Sequence, residues 1–197
     1  MSRPLVAVAA GPALLEPSRE LRDAIAVAGA ALATVDLTAD DALPAGAVAL
    51  VLGDGAPVPH AAAIGANQAL RDAVVAHHRA GRRIVAEGAG VAYLATSLDG
   101  EPMCDVLPAA ARPGPGGVPG PVELMAAADG PVHAIGQKRI GRPSRAIALD
   151  VTAGSQPAWT IGRDREGWAM PGLHASLIVV PWTPDRLQRL LEGASVA

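Results

Sequence analysis

The segment Ile84–Leu94 reads IVAEGAGVAYL and decides the fold of this chain. Its apolar start is typical of a buried strand and its end suits a helix, so the small residues between them predict a sharp turn from strand to helix, the form of a nucleophile elbow. Ligands of open parallel sheets bind at the carboxyl ends of strands, where such turns lie. The central position of this turn is Gly88, which offers no side chain for chemistry. A helix packed tightly on a strand end also needs glycines, so the turn alone leaves a purely structural role open.

Strands and helices alternate on the amino-terminal side of this turn. Apolar runs predict buried strands there, and apolar residues at helical spacing predict the helices between them. This alternation is typical of a mostly parallel sheet covered by helices on both faces, a three-layer α/β fold. The predicted strands are Leu5–Ala10, Ala31–Val35, Ala47–Leu52 and Arg83–Ala86, and the predicted helices are Arg19–Ala28 and Asn67–Arg79.

The carboxyl-terminal half is richer in strands, and we expect it to add antiparallel strands to the sheet. Residues 112–121 are rich in proline and glycine and predict a surface loop, because such a run sustains neither a helix nor a central strand. Thr183–Asp185 opens a last helix, with proline at its first position. Length and patterning together predict a single domain over 1–197. The further predicted strands are 122–127, 145–151, 158–161 and 173–180.

The composition argues against several classes of protein. The 197 residues are 50% hydrophobic but only 2% aromatic, so the core is expected to consist of small aliphatic side chains. The net charge is -3 and the 16 Lys and Arg residues are scattered, which gives no basic face for nucleic acid. The apolar stretches fall short of the roughly 20 residues of a membrane helix. With no separate signal-peptide pattern at the start, we expect a soluble cytoplasmic protein.

Cofactor chemistry has little support in the sequence. The single cysteine, Cys104, excludes an internal disulfide and a cysteine-rich zinc site. No Walker-type phosphate loop is present. We therefore expect neither a metal nor a cofactor, and we interpret Cys104 as a buried structural thiol, since free cysteines are among the most buried residues.

Several motifs together resemble one family. Ala86–Leu94 resembles AECGGLMYL, the elbow of the cobyrinic acid a,c-diamide synthase-type class I glutamine amidotransferase domains, and it is followed at a similar distance by LDGEPM at 98–103 and VLP at 106–108. Upstream, LGDGAPVPHA at 52–61 is similar to the family's LGGGYPELHA, and downstream ASLIV at 175–179 is similar to ASYLH. The resemblance covers nearly the whole chain and implies the flavodoxin-like fold of these domains.

The same resemblance implies that the reactive groups are missing. The family's catalytic cysteine falls on Gly88 and its histidine on Val179, so no catalytic residue is intact. The family segment GHEFH is replaced by GRPSR at 141–145, which is a further loss at the same site. The carboxylates that border the remnant pocket could serve acid-base chemistry or a metal, but we favour hydrogen bonds to backbone amides. The candidate pocket residues are Gly53, Asp54, Gly55, Glu87, Gly88, Ala89 and Val179.

Three hypotheses follow about function. The first is a pseudoenzyme that binds a partner protein, either a separate synthetase-like chain or a regulatory chain, or else a small ligand in the remnant pocket. Family members carry this domain behind an ATP-dependent synthetase domain; since the first strand here begins at residue 5, we expect any synthetase to be a separate chain. The second hypothesis is a glutaminase subunit that supplies ammonia to such a synthetase, or a hydrolase with a relocated nucleophile. The third is a scaffold that self-associates as a homo-oligomer.

Overall fold

The computed structural model describes residues 3–192 and has the predicted three-layer α/β architecture. The single-domain prediction over 1–197 includes residues outside this range and stays a prediction. The helices are α1 (Arg19–Val27), α2 (Ala61–Ala66), α3 (Gln68–Arg79), α4 (Val91–Leu94) and α5 (Pro184–Leu191). The strands are β1 (Leu5–Ala9), β2 (Ala31–Val35), β3 (Ala47–Leu52), β4 (Arg83–Glu87), β5 (Ser97–Leu98), β6 (Glu101–Pro102), β7 (Ala110–Pro113), β8 (Val122–Ala126), β9 (Lys138–Pro143), β10 (Ile147–Leu149), β11 (Trp159–Ile161), β12 (Asp164–Glu166), β13 (Trp168–Met170), β14 (Leu173–Ser176) and β15 (Ile178–Val179).

The central sheet has six strands in the order β13-β14-β4-β3-β1-β2. All of its pairings are parallel except that of the edge strand β13, which runs antiparallel to β14. A mostly parallel sheet with antiparallel additions from the second half was predicted, and it is confirmed. The two strands beside the elbow, β3 and β4, lie at the middle of this sheet, so their carboxyl ends open onto the same edge.

Both faces of the central sheet are covered by helices. Leu50 and Leu52 of β3 pack on one face with Leu70 of α3 and with α4. The alternate residue Val51 packs on the other face with Leu187 of α5 and with α1. Because successive side chains of a strand point to opposite faces, one apolar run fills two cores, which explains why β3 reads as a continuous hydrophobic stretch.

A second, five-stranded sheet lies after the elbow, in the order β12-β11-β8-β9-β15. It is antiparallel throughout, and its inner face forms a small core around the fully buried Trp159 with Leu124 and Ile178. Its edge strand β15 follows β14 of the central sheet after one residue, so this sheet is connected directly to the strand beside β4. A smaller sheet, in the order β10-β7-β5-β6, follows α4 in the chain.

Two sequence predictions need correction. The strand predicted at 173–180 is two strands in two sheets, interrupted at Leu177. Leu177 leaves the ladder because its amide donates to the Glu166 carboxylate and its carbonyl accepts from the Ser144 amide. The loop predicted at 112–121 begins later, since residues 112 and 113 are the end of β7. Pro113 is tolerated there because it is the last residue of the strand, where a missing amide interrupts little pairing.

Candidate functional site

The predicted turn from strand to helix is present at the carboxyl end of β4. Glu87 ends the strand with extended backbone angles, Gly88–Gly90 form a single 3-10 turn, and α4 follows at once. Gly88 has a φ of +65°, in the left-handed region that side chains other than glycine adopt only at a cost. The backbone therefore has the form of a nucleophile elbow, and a residue without a side chain occupies its centre.

The turn after β3 packs directly against this elbow. A Cβ added to Gly90 would lie 2.5 Å from the carbonyl oxygen of Gly53, which is too close for any real side chain. A Cβ added to Gly55 would lie equally close, at 2.5 Å, to the carbonyl oxygen of Ala13. These glycines permit a close approach of backbone to backbone, and the approach brings Asp54 next to Gly88.

The side chain of Asp54 fills the space in which a side chain at position 88 would lie. A Cβ added to Gly88 would be 2.6 Å from Asp54 Oδ1 and 2.9 Å from Asp54 Cβ. The same Oδ1 accepts a hydrogen bond of 2.8 Å from the Ala89 amide and another of 2.8 Å from the Ser144 hydroxyl. The carboxylate is therefore held in place from two sides.

This position of Asp54 has a chemical consequence. In a nucleophile elbow, the amide of the residue after the nucleophile is a donor of the oxyanion hole. That residue is Ala89 here, and its amide already donates to a carboxylate oxygen. A donor that stabilises developing negative charge must be available to the substrate oxygen. In this chain the donor is taken by an internal anion.

Glu87, the residue before Gly88, belongs to a buried network behind the elbow. Its Oε1 accepts a hydrogen bond of 2.7 Å from Arg186 of α5, and its Oε2 accepts one of 3.2 Å from the Val180 amide. Arg186 also donates to the carbonyl of Val180 at 2.6 Å. His174 Nε2 lies 3.3 Å from Glu87 Oε1 without an aligned hydrogen bond, and His174 Nδ1 lies 3.1 Å from a nitrogen of His133. The network thus joins β4, β14 and α5.

Burial and charge set the protonation states in this network. Burial would raise the pKa of the Glu87 carboxyl, but the charge of Arg186 and the contact with His174 hold that pKa below its ordinary value. Burial lowers the pKa of His174, and it lowers the pKa of His133 to about 3, helped by the nearby charge of Arg186. At neutral pH the network therefore contains one ion pair, Glu87 with Arg186, and two neutral imidazoles.

A groove of about 450 Å³ lies above Asp54. Val179, at the predicted position of the missing histidine, lies in its wall together with the indole of Trp182. Its lining also includes Leu15, Glu20 and Arg142. The groove has no imidazole among the described residues that line it, so no histidine stands there to activate a nucleophile.

Relatives of this chain include a,c-diamide synthases. A hydrogenobyrinate a,c-diamide synthase of Streptomyces coelicolor is 35% identical over 183 residues, which is 91% of this chain and 38% of the relative. One of Mycobacterium bovis is 33% identical over 178 residues, which is 88% of this chain and 39% of the relative. The chain therefore spans about two fifths of the length of these relatives. No family model matches the chain.

Solved structures show the same fold. The PurLQS structure of Thermotoga maritima superposes with a TM-score of 0.69 at 14% identity, over 98% of this chain and all, 100%, of that one. A glutamine amidotransferase structure superposes with a TM-score of 0.65 at 20% identity, over 96% of this chain and 98% of that one. This chain is an amidotransferase-like domain related to the a,c-diamide synthases. The predicted family resemblance and fold class are thus confirmed.

The pocket positions of this amidotransferase-like domain fall into three groups. Asp54, Gly88 and Ala89 are in direct contact, and Val179 lies in the wall of the groove that Asp54 also lines. The glycines on either side of Asp54 serve the close backbone approach. Glu87 accepts from a backbone amide, as expected, but its carboxylate is buried on Arg186 behind the elbow. Binding of a ligand at these positions stays a prediction.

Cys104 is a structural thiol in this domain, as the sequence predicted. It is 5% exposed, and burial raises the pKa of its thiol to about 12. A thiol with that pKa is protonated at neutral pH and is a poor nucleophile. Its amide donates to the carbonyl of Tyr93 in α4, which fixes the segment after the elbow helix.

Sequence reasoning missed three residues of the site. Arg186 was overlooked, although helical spacing from Leu190 places it on the inner face of α5, where it is buried. Ser144 lies in the GRPSR segment that was noted only for what it had lost. Trp182 had no signal beyond being aromatic.

The described residues contain no cluster of three His, Cys, Asp or Glu side chains suited to a metal, and no helix among them is long and apolar enough to cross a membrane.

Proposed function

We propose that this chain is a catalytically inactive, cytoplasmic amidotransferase-like domain that acts as a binding or regulatory subunit. The observation that carries the proposal is the carboxylate of Asp54, which fills the space beside Gly88 and accepts the Ala89 amide. A site that still hydrolysed glutamine would keep this space and this donor free for the substrate.

The chemistry of glutamine hydrolysis supports the proposal. The reaction needs a thiolate that attacks the side-chain amide and an imidazole that moves the proton. Gly88 and Val179 stand where these groups are expected and supply neither. The thiol of Cys104 is buried and protonated, so it does not replace the missing nucleophile. His174 is held in the network behind the elbow, where burial keeps it neutral.

The intact structure around the elbow supports a binding role. The ion pair behind the elbow, the close glycine contacts and the groove in front of it are all built, while the reactive groups are absent. We propose that the groove binds a small ligand, or that the domain binds a separate synthetase-like or regulatory chain. The relatives named a,c-diamide synthases are much longer than the part that matches this chain. This favours a role in which the domain works together with a further protein segment.

A glutaminase assay tests inactivity directly. We expect the purified protein to release no glutamate from glutamine above the rate of a buffer blank, and 6-diazo-5-oxo-L-norleucine to leave Cys104 unmodified in the folded protein. Unfolded protein treated with iodoacetamide is the control that shows the thiol is detectable. Glutamine turnover that is abolished in Cys104→Ala would refute the proposal and establish the glutaminase alternative.

Purification from the native cells tests the subunit role. We expect the chain to elute with a stoichiometric partner protein or with a bound small molecule that mass spectrometry detects after denaturation. Light scattering on the same fractions measures the oligomeric state. A homo-oligomer that carries neither partner nor ligand would support the scaffold hypothesis instead.

A further inference from the structure

One oxygen of the Asp54 carboxylate has no partner among the described residues. Both hydrogen bonds of this carboxylate, from Ala89 and from Ser144, go to Oδ1. Within residues 3–192, Oδ2 has no hydrogen-bond partner and Asp54 has no salt bridge, although Asp54 lines the groove. The groove above the elbow therefore ends on an anionic acceptor held in a fixed position.

The other charges around the groove leave this anion uncompensated. Glu20 adds a second carboxylate to the lining. Arg142 is the cation of the lining, and its guanidinium donates to the carbonyl of Pro119 at 3.3 Å. Arg186 lies close to the groove through its contact with Trp182, but it is neutralised by Glu87 at 2.7 Å. The lining itself thus contains two carboxylates and one guanidinium.

The walls of the groove are apolar. Val179 and Trp182 line it, and the guanidinium of Arg186 lies 4.6 Å from the centre of the indole ring, which fixes that ring. Leu15 at the same groove is 66% exposed, so its side chain is free to be covered by a ligand. Ligand pockets typically combine such apolar walls with a few fixed polar groups that orient the ligand.

We propose that the groove binds a small organic cation, an amine or guanidinium carried on an apolar body. The cationic group donates to Asp54 Oδ2, and the apolar body packs on Trp182 and Val179. This inference rests on the proposed function, because a working amidotransferase site would need Asp54 displaced. The same position that stabilises an oxyanion in an elbow enzyme is here occupied by an anion, so the charge preference of the site is inverted.

Three probes of equal size separate charge from hydrophobicity. Isothermal titration with 4-phenylbutylamine, 4-phenylbutanol and 4-phenylbutanoic acid compares a cation, a neutral polar group and an anion on the same apolar body. We expect the amine to bind more tightly than the alcohol by about tenfold, as for a charge-assisted hydrogen bond, and the acid to bind more weakly than either. An alcohol that binds as well as the amine, or no binding of the amine, overturns the inference.

A pair of matched variants identifies the acceptor. Asp54→Asn removes the charge while its amide oxygen still accepts from the Ala89 amide, so the fold is expected to persist. Asp150→Asn is the control, because Asp150 also accepts from a backbone amide, that of Ala110 at 2.7 Å, but does not line the groove. We expect Asp54→Asn to weaken amine binding by about tenfold and Asp150→Asn to leave it unchanged. Equal affinity of both variants and the parent protein contradicts the inference.

The two proposals fail in different ways. If Asp54→Asn does not fold, the comparison of amine with alcohol on the unaltered protein still decides the inference. Glutamine hydrolysis refutes the inactive-subunit proposal and with it the inverted site. Absence of both hydrolysis and amine binding overturns the cation site alone.

Discussion

Two carboxylates flank Gly88, and their surroundings differ. Glu87 lies behind the elbow, buried, with a guanidinium at 2.7 Å, and it joins β4 to α5. Asp54 lies in front of the elbow, forms no salt bridge within residues 3–192, and lines an open groove. Both accept backbone amides, so hydrogen bonding does not distinguish them. The difference lies in charge compensation: the paired carboxylate stabilises the frame, and the unpaired one defines what the groove can bind.

Breaking the ion pair between Glu87 and Arg186 is expected to reduce stability more than any other change. Arg186→Met leaves the Glu87 carboxylate buried without its partner, which costs about 3–5 kcal/mol of the free energy of unfolding. Urea denaturation measures this loss. The double variant Glu87→Gln/Arg186→Met removes the stranded charge and is expected to recover much of it.

The exposed pair between Arg139 and Asp185 provides the control for that experiment. These side chains also approach to 2.7 Å, but at the surface, where ion pairs contribute about 0–1 kcal/mol. Arg139→Met is therefore expected to change stability little. If Arg186→Met were no more costly than Arg139→Met, the frame would not depend on the buried pair.

A third carboxylate, that of Glu166, differs from the other two in its dependence on pH. Glu166 is buried like Glu87, but it accepts from the Ser176 hydroxyl and the Leu177 amide at 2.7 Å each and forms no salt bridge with the residues that the structure describes. Burial raises its pKa to about 7, whereas Arg186 holds the pKa of Glu87 down. The folded protein then binds a proton that the unfolded chain, with an ordinary pKa of 4.5, has released. Stability from this group is present below pH 4.5 and is lost as the pH rises towards 7.

Glu166→Gln tests this pH dependence. The variant is uncharged at every pH, and its amide oxygen can still accept from the Leu177 amide while its NH2 group donates to the Ser176 hydroxyl oxygen. Its stability relative to the parent should therefore increase between pH 4.5 and 7. The increase is expected to reach at most about 3 kcal/mol, from the size of the pKa change. Thermal melts across this range measure it. A constant difference between variant and parent would show that Glu166 titrates normally.

The sequence predicted the central sheet well and its additions poorly. The apolar strands β2 and β3 have the bounds that were predicted, because the apolar pattern of each is local, although only β3 is buried throughout. Strand β9, Lys138–Pro143, was missed because half of its residues are charged and it forms only by pairing with β8 and β15. Strands of two or three residues depend on such partners and leave no pattern of their own.

The candidate site shows the same division between features with a local sequence pattern and features that depend on distant contacts. That Gly88 lacks a nucleophile could be seen in the sequence, because one position decides it. That Asp54 fills the space could not, since the contact requires the turn after β3 to pack on the turn after β4. The hydrogen bond from Ser144 to Asp54 joins residues 90 positions apart. Such a contact follows from the fold and has no local signal.

The smallest predicted effect is that of a side chain at position 88. Its cost in stability has two sources, the backbone strain at a positive φ and the obstruction by Asp54. Gly88→Cys places a side chain at a φ of +65° and pushes Asp54 away from the Ala89 amide, so we expect a loss of unfolding free energy of about 2 kcal/mol. Gly29→Cys is the matched control, because Gly29 has a φ of +67° and nothing within 4 Å of an added Cβ. It is expected to lose about half as much, from backbone strain alone.

The difference between these two variants measures the obstruction by Asp54, and a second substitution locates it. Asp54→Gly removes the obstructing side chain, so in its background Gly88→Cys should cost only as much as Gly29→Cys does. It should leave the cost of Gly29→Cys itself unchanged, because that residue lies outside the elbow. Equal losses in Gly88→Cys and Gly29→Cys would mean that Asp54 moves aside freely. The carboxylate would then be a mobile neighbour of the elbow, and the groove would have no fixed anion on which to bind a cation.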